Sequence, residues 1–225
     1  LMTDSLPPDR RPPVRQPADG ATRAGEIEPA ERRLEPPAKD LIATLPPFDG
    51  LGLDRIVLAT TLQQVEAAAA VLLAARHLGF DTESKPTFVR GEVSEGPHLV
   101  QFATLERAYL FPLHLPGCAD LVAGVLESER VTKVGFGLDS DRSLITSKLG
   151  VAPKSVLDLD AVFRRMGYRK SLGLKSAVAV VFGQQFTKSK KIGTSNWAQQ
   201  HLSDRQVLYA ANDAYAAMRV FAALP

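Results

Sequence analysis

Leu78-Gly79-Phe80-Asp81-Thr82-Glu83 is the stretch on which the reading of this 225-residue chain turns. An apolar start, Leu78 to Phe80, ends in two acids at i and i+2. Side chains alternate along a strand, so Asp81 and Glu83 fall on one face. Two carboxylates on one face of a strand entering a core repel each other and lose hydration unless a cation is there. The triplet alone is weak, since the chain has 14 Asp and 11 Glu and roughly one such spacing is expected by chance.

Working outward, Ile56–Leu58 reads as a short strand. Thr61 and Gln64 have capping-box spacing and open a helix through about His77. Leu99–Thr104 and Ala108–Leu113 read as further strands, with Val100 and Phe102 marking the period of two. After them the pattern alternates. Gly117–Ser128 reads as helix, Val131–Phe136 as strand, Ser140–Leu149 as helix and Val156–Leu157 as strand. Leu172–Phe182 and Ser203–Leu224 are helical, and Ser203 with Gln206 repeats the capping-box spacing. Strands that cluster first and then alternate with helices predict an α/β fold, a mixed sheet with helices on its faces.

Residues 1–40 hold eight prolines and no aromatic residue. Such a segment buries too little apolar surface to offset its ordering entropy, so it is expected to be a disordered tail. Residues 41–53, with Pro46-Pro47 and Gly50, read as a linker lying on the domain, and 54–225 as the folded domain. The longest apolar run, Ala67–Ala75, is far short of a membrane span, and no export signal is evident. Cys118 is the only cysteine, which fits a reducing cytoplasm and excludes an internal disulfide or a cysteine-built zinc site.

The net charge of +2 divides unevenly. Residues 1–40 carry 7 basic and 8 acidic residues, or −1; the rest carries 20 against 17, or +3. Ala161–Ser203 contains eight Lys or Arg and no acid. A polyanion such as nucleic acid suits that surface.

Two further motifs lie downstream. Asp141 follows the strand in Lys133-Val134-Gly135-Phe136-Gly137-Leu138-Asp139-Ser140-Asp141, where a helix begins; taken alone it reads as an N-cap. Tyr209 and Asp213, four apart on the last helix, share a face. Ala210, Ala216 and Ala217 flank that face, and Val207, Met218 and Phe221 form the core stripe opposite. The helix can therefore press a Tyr and an Asp against the sheet.

Together the order and spacing of these motifs resemble the DEDD-type 3′–5′ exonucleases of the tyrosine subclass. That group includes RNase D, the proofreading domains of family A polymerases and the Werner-syndrome exonuclease domain. The resemblance covers about residues 54–224. It matches Asp81 and Glu83 in the first motif, Asp141 in the second, and Tyr209-Ala-Ala-Asn-Asp213 in the third. Ser195-Asn196-Trp197 and the stretch from Leu208 to Phe221 look most like the Werner-type branch. The histidine subclass carries His where this chain has Leu208, and none of His77, His98, His114 and His201 falls within a motif.

The resemblance implies an RNase H-like fold and two divalent ions, Mg²⁺ or Mn²⁺, since hard oxygen ligands suit those cations. By analogy Asp81, Glu83 and Asp213 hold the ion that carries the attacking water, and Asp81 and Asp141 hold the second, near the leaving 3′-oxygen. Tyr209 would orient the water, because a phenol is a poor base at neutral pH. Asp139 is the rival to Asp141. Lys188, Lys190 and Lys191 are candidates for the strand's phosphates. Trp197 reads as a packing anchor, with base stacking as the alternative.

Three functions are consistent with these residues: a DNA-directed exonuclease, an RNA trimmer like RNase D, and a catalytically silent nucleic-acid-binding module. The Werner-type resemblance favours DNA. RNase D carries further helical RNA-binding domains after its exonuclease domain, whereas Pro225 follows the third motif here. A silent module would be free to lose its carboxylates, and all four are present with the Tyr.

Overall fold

A computed structural model describes residues 34–89 and 91–225. Six strands build one sheet: β1 (Ile56–Leu58), β2 (His77–Glu83), β3 (Leu99–Ala103), β4 (Ala108–Pro112), β5 (Thr132–Gly135) and β6 (Val156–Asp158). Their order is β1-β4-β3-β2-β5-β6. β3 runs antiparallel to β2 and to β4, and the pairs β1·β4, β2·β5 and β5·β6 are parallel. The sheet is therefore mixed, as the element order predicts.

Helices α2 (Leu62–Ala74), α3 (Cys118–Glu127) and α4 (Asp139–Leu149) supply residues to the core on one face. Leu78 and Phe80 of β2 project into that core with Val100 and Phe102 of β3. The other face carries α6 (Leu174–Phe182) and the 20-residue α8 (Asp204–Ala223). Both predicted capping boxes form, at Thr61 with Gln64 and at Ser203 with Gln206. Each satisfies two backbone donors that the first helical turn leaves free.

Helix α8 departs from the expected one-sided stripe. Val207, Ala211, Ala214, Tyr215, Met218 and Val220 are all buried, on several sides of the helix. Its outer side is covered by residues 46–51. Phe48 packs against Tyr215, Phe182 and Phe186, and the Asn212 side chain accepts from Leu51 N and donates to Leu51 O. On the inner side, Gly79 lets the helix approach the sheet: a Cβ there would overlap the Ala214 carbonyl oxygen and crowd Met218.

Three short helices escape the periodicity of the sequence. These are α1 (Lys39–Thr44), α5 (Leu159–Arg165) and α7 (Lys190–Gly193). Each has at most two turns, too few for a hydrophobic period to show. Of the expected tail, residues 1–33 lie outside the described residues. Residues 34–40 do not behave as tail: Leu34 bridges Tyr168, Glu35 pairs with Lys170 at 3.1 Å, and α1 begins at Lys39. Pro47 bridges Gln185, and Leu51 is buried. Among the described residues no helix is long and apolar enough to cross a membrane.

This packing predicts how far the chain can be shortened. A chain beginning at Leu34 should melt with the full-length protein. One beginning at Asp54 should melt several degrees lower, because it uncovers α8 and loses Ile42, Phe48 and Leu51. Equal melting temperatures for all three would show that 34–53 contributes no packing energy.

Lys133 of β5 is fully buried. Its ammonium donates to the carbonyls of Ser128 and Val131, both at 2.8 Å. Ser128 is the C-cap of α3, so the charge sits at a helix C-terminus, where it is favoured. Burial nevertheless pulls the Lys133 pKa down from 10.5 to about 8. The unfolded chain thus takes up this proton before the folded one does. The associated stability is fully present above pH 10.5 and is lost as pH falls through 8. In urea titrations, the stability advantage of wild type over Lys133→Met should therefore shrink as pH drops from 10.5 to below 8. A pH-independent difference would show that the ammonium is not desolvated.

Candidate active site

The alternation of β2 places Gly79, Asp81 and Glu83 on the face that meets α8. Because Gly79 allows close approach, α8 brings Asp213 to the same place. Oxygens of Asp81, Glu83 and Asp213 all lie within 4.8 Å of one another. Asp213 is 2% exposed, and its Oδ1 has no hydrogen-bond partner. The Lys188 ammonium pairs with Oδ2, its Nζ 2.6 Å away.

Burial and mutual repulsion dominate the electrostatics of the cluster. Burial, and then the charge of Asp213, hold the Asp81 carboxyl well above the usual carboxylate range. Glu83 is pushed up to about 9 by burial and by Asp81. Burial raises Asp213 to about 6 against the opposing pull of Lys188. Burial works against the charge on Lys188, yet Asp213 and Asp81 hold its pKa above the ordinary lysine value.

Tyr209 stands one helical turn before Asp213, with Lys188 Nζ 5.4 Å from its ring centroid. Burial, reinforced by Asp213, pushes its hydroxyl up to about 12. At neutral pH it is therefore a hydrogen-bond donor and acceptor and not a base.

Asp141 is held differently. Helix α4 starts at Asp139, and its N-cap, Leu138, makes no side-chain cap bond. Asp141 thus lies in the first turn and is not the N-cap. It accepts a hydrogen bond from the hydroxyl of Thr82, the residue between the two strand acids. It stands outside the three-carboxylate group, while its charge still raises the pKa of Asp81 and Glu83. Asp139 is exposed.

The three lysines of the basic stretch separate. Lys188 points inward to Asp213, whereas Lys190 and Lys191 open α7 and are exposed. Trp197 is buried, donates to the Gly193 carbonyl at 3.2 Å and packs 5.9 Å from the Tyr209 ring. That is the position of a packing anchor, and a buried indole is not free to stack on a base.

Two cavities flank Asp213. One, of about 520 Å³, is lined by Phe48, Phe186, Ile192, Leu208 and Tyr209. The other, of about 450 Å³, is lined by Asp81, Phe136, Leu172, Lys175 and Lys188. Phe48 and Thr82 carry no functional signal in the sequence. Phe48 sits in the segment expected to be linker, and the alternation that puts Asp81 and Glu83 on one face puts Thr82 on the other.

A 3′-5′ exonuclease family profile matches residues 56–225. The chain belongs to the 3′-5′ exonuclease family. A 3′-5′ exonuclease of Arabidopsis thaliana is 30% identical over 150 residues, 65% of this chain and 52% of that protein. The bifunctional 3′-5′ exonuclease/ATP-dependent helicase WRN of Mus musculus is 29% identical over 148 residues, 64% of this chain and 10% of that one. The chain thus spans about half the length of the first relative and a tenth of the second. In structure it resembles the Aedes aegypti Nibbler EXO domain, with a TM-score of 0.66 at 23% identity over 77% of this chain and 88% of that one. Trypanosoma brucei RNase D in complex with RNA gives the same TM-score, at 21% identity over 82% of this chain and 64% of that one. These likenesses establish the RNase H-like fold.

The cluster suits divalent cations: it concentrates hard oxygen donors, and the buried Oδ1 of Asp213 has no other partner. Changing Asp81 to Asn removes one negative charge at nearly constant shape. In EDTA the variant should melt at or above the wild-type temperature. With millimolar Mn²⁺ the wild type should gain more stability than the variant. Equal Mn²⁺-induced shifts in the two proteins would place Asp81 outside any metal site.

Proposed function

We propose that this chain removes nucleotides one at a time from the 3′ end of DNA, hydrolysing each phosphodiester and releasing nucleoside 5′-monophosphates. The observation that carries this reading is the convergence of Asp81, Glu83 and Asp213 with Lys188 and Tyr209, between two open cavities. Asp81, Glu83, Asp213 and Asp141 are the residues to hold two divalent cations, Mg²⁺ or Mn²⁺. Ions bound there supply a polarised scissile phosphate and a water of lowered pKa.

The protein's own groups do the rest. Tyr209, protonated at neutral pH, orients the attacking water through its hydroxyl. Thr82 fixes the carboxylate of Asp141 through its hydroxyl. Lys188 is placed to meet an oxygen of the scissile phosphate once its charge is no longer engaged by Asp213. Phe48, Phe186 and Leu208 offer an apolar wall for the terminal base, and the exposed Lys190 and Lys191 are the candidates to meet the strand's phosphates. The single cysteine, Cys118, is buried, with its thiol pushed up to about 12; that inert thiol suits a reducing compartment such as the cytoplasm.

RNA is the second substrate reading, favoured by the structural likeness to an RNase D solved with RNA. Labelled single-stranded DNA, duplex DNA and RNA, each with Mn²⁺ and with EDTA, separate the two. Cleavage should need the metal, proceed from the 3′ end and be faster on DNA. Asp81→Ala or Asp213→Ala should slow it roughly a thousandfold or more. Tyr209→Phe should slow it less, and Lys188→Met should raise KM for the strand. Full activity after exhaustive chelation would end the metal-dependent reading, and faster turnover of RNA would reverse the substrate assignment.

A further inference from the structure

Gln101 lies at the centre of β3, 0% exposed, and neither its Oε1 nor its Nε2 has a hydrogen-bond partner. Among the described residues, four buried side-chain polar atoms lack a hydrogen-bond partner other than an ammonium: two on Gln101 and two on Asp213, of which Oδ2 is ion-paired with Lys188 at 2.6 Å. The orphans thus fall on the two sides of one seam, where β2 and β3 meet α8. Those of Asp213 have an explanation in the carboxylate cluster. Those of Gln101 have none so far.

The register supplies one. Gln101 is paired directly with Asp81 across the antiparallel β2·β3 ladder. Opposed residues in such a ladder project to the same face, with Cβ atoms about 4.5–5.5 Å apart. Gln101 therefore lies on the α8 side of the sheet, beside the carboxylates. Its neighbours on that face are apolar: Leu99 and Ala103 on its own strand and Leu110 opposite it on β4, which belong to one cluster with Ala210, Ala211 and Ala214 of α8. The polar side chains nearest along that face of β2 are Asp81 and Glu83.

An unpaired buried amide destabilises a fold, whereas an apolar side chain of the same shape in its place does not. Groups that cost stability in this way cluster at functional sites. We propose that Gln101 is a positioning residue of the exonuclease site. Its amide N–H₂ donates to the carboxylate of Asp81, directly after a rotamer change or through one water, when that carboxylate is engaged by a cation. The backbone N–H of Thr82 already donates to Asp81 Oδ1 at 2.9 Å. A second donor from the neighbouring strand fixes the orientation of the carboxylate in both directions. Partners of this kind behind a ligating group typically change metal affinity 10–100-fold.

The proposal rests on the metal-dependent reading of the site, and the experiment separates the two. Gln101→Met keeps the length of the side chain and removes both polar atoms; Gln101→Leu is the second variant. The full chain is melted in EDTA, titrated with Mn²⁺ by calorimetry, and assayed for kcat and KM on a labelled oligonucleotide, with Asp81→Asn as control. The variant should melt at or above wild type in EDTA, bind Mn²⁺ about tenfold more weakly, and lose kcat with KM for the strand unchanged. A Mn²⁺ dissociation constant within twofold of wild type would overturn the proposal. So would a fall in EDTA melting temperature, or failure of both variants to fold, since the amide would then serve the fold and not the site. An Mn²⁺ response in Asp81→Asn equal to that of wild type would instead sink the metal reading itself.

Discussion

Burial of like charges at the seam between β2 and α8 is the constraint on which the rest of this structure depends. Three carboxylates share a space in which their oxygens lie within 4.8 Å, and burial is the first cause of every raised carboxylate pKa there. Such a cluster opposes folding. The fold tolerates it because Lys188 offsets one of the charges and apolar packing on both faces of the sheet supplies stability elsewhere. The sheet is covered on both faces, so its two flanking cores offset a local penalty that a smaller domain could not.

The seam also explains why the helix carrying Asp213 is rich in alanine. Ala210, Ala211, Ala214, Ala216 and Ala217 are all buried, and Gly79 leaves room for the Ala214 carbonyl. Small residues set the distance between helix and sheet, and that distance sets whether Asp213 can join Asp81 and Glu83. Larger side chains at these positions would lift the helix and open the cluster before they unfolded the protein. Residues 46–51 hold α8 down from the other side, through Phe48 and the two hydrogen bonds between Asn212 and Leu51. Geometry at the site is thus fixed by packing some distance from it.

Much of this was legible in the sequence, for a physical reason. The period of two in β2 makes the facing of Asp81 and Glu83 a local property, and the i, i+4 spacing does the same for Tyr209 and Asp213. Capping boxes at Thr61 and Ser203 are likewise local. What was not legible depends on tertiary proximity. Phe48 reads as linker because its partners, Phe182, Phe186 and Tyr215, lie more than 130 positions away. Lys188 reads as one of three candidates for the strand's phosphates, and only the path of the chain between α6 and α7 turns it inward while Lys190 and Lys191 stay exposed. Gln101 looks like an ordinary mid-strand residue until its register with Asp81 is known. Asp141 and Asp139 are two residues apart, and the Thr82 hydroxyl distinguishes them.

Lys188 ties these observations together through charge. With all groups ionised, the three clustered carboxylates carry three negative charges and Lys188 one positive, leaving a net of two. That remainder is the negative charge that bound cations would offset. A cation held by Asp213 would compete with the ammonium for the same oxygens and would repel it. The ammonium then has reason to leave Asp213. In the proposed reading the group it meets next is a phosphate oxygen of the strand. The same side chain, in that reading, offsets one charge of the resting cluster and afterwards meets the strand, so that loading the site and engaging the substrate draw on a single positive charge.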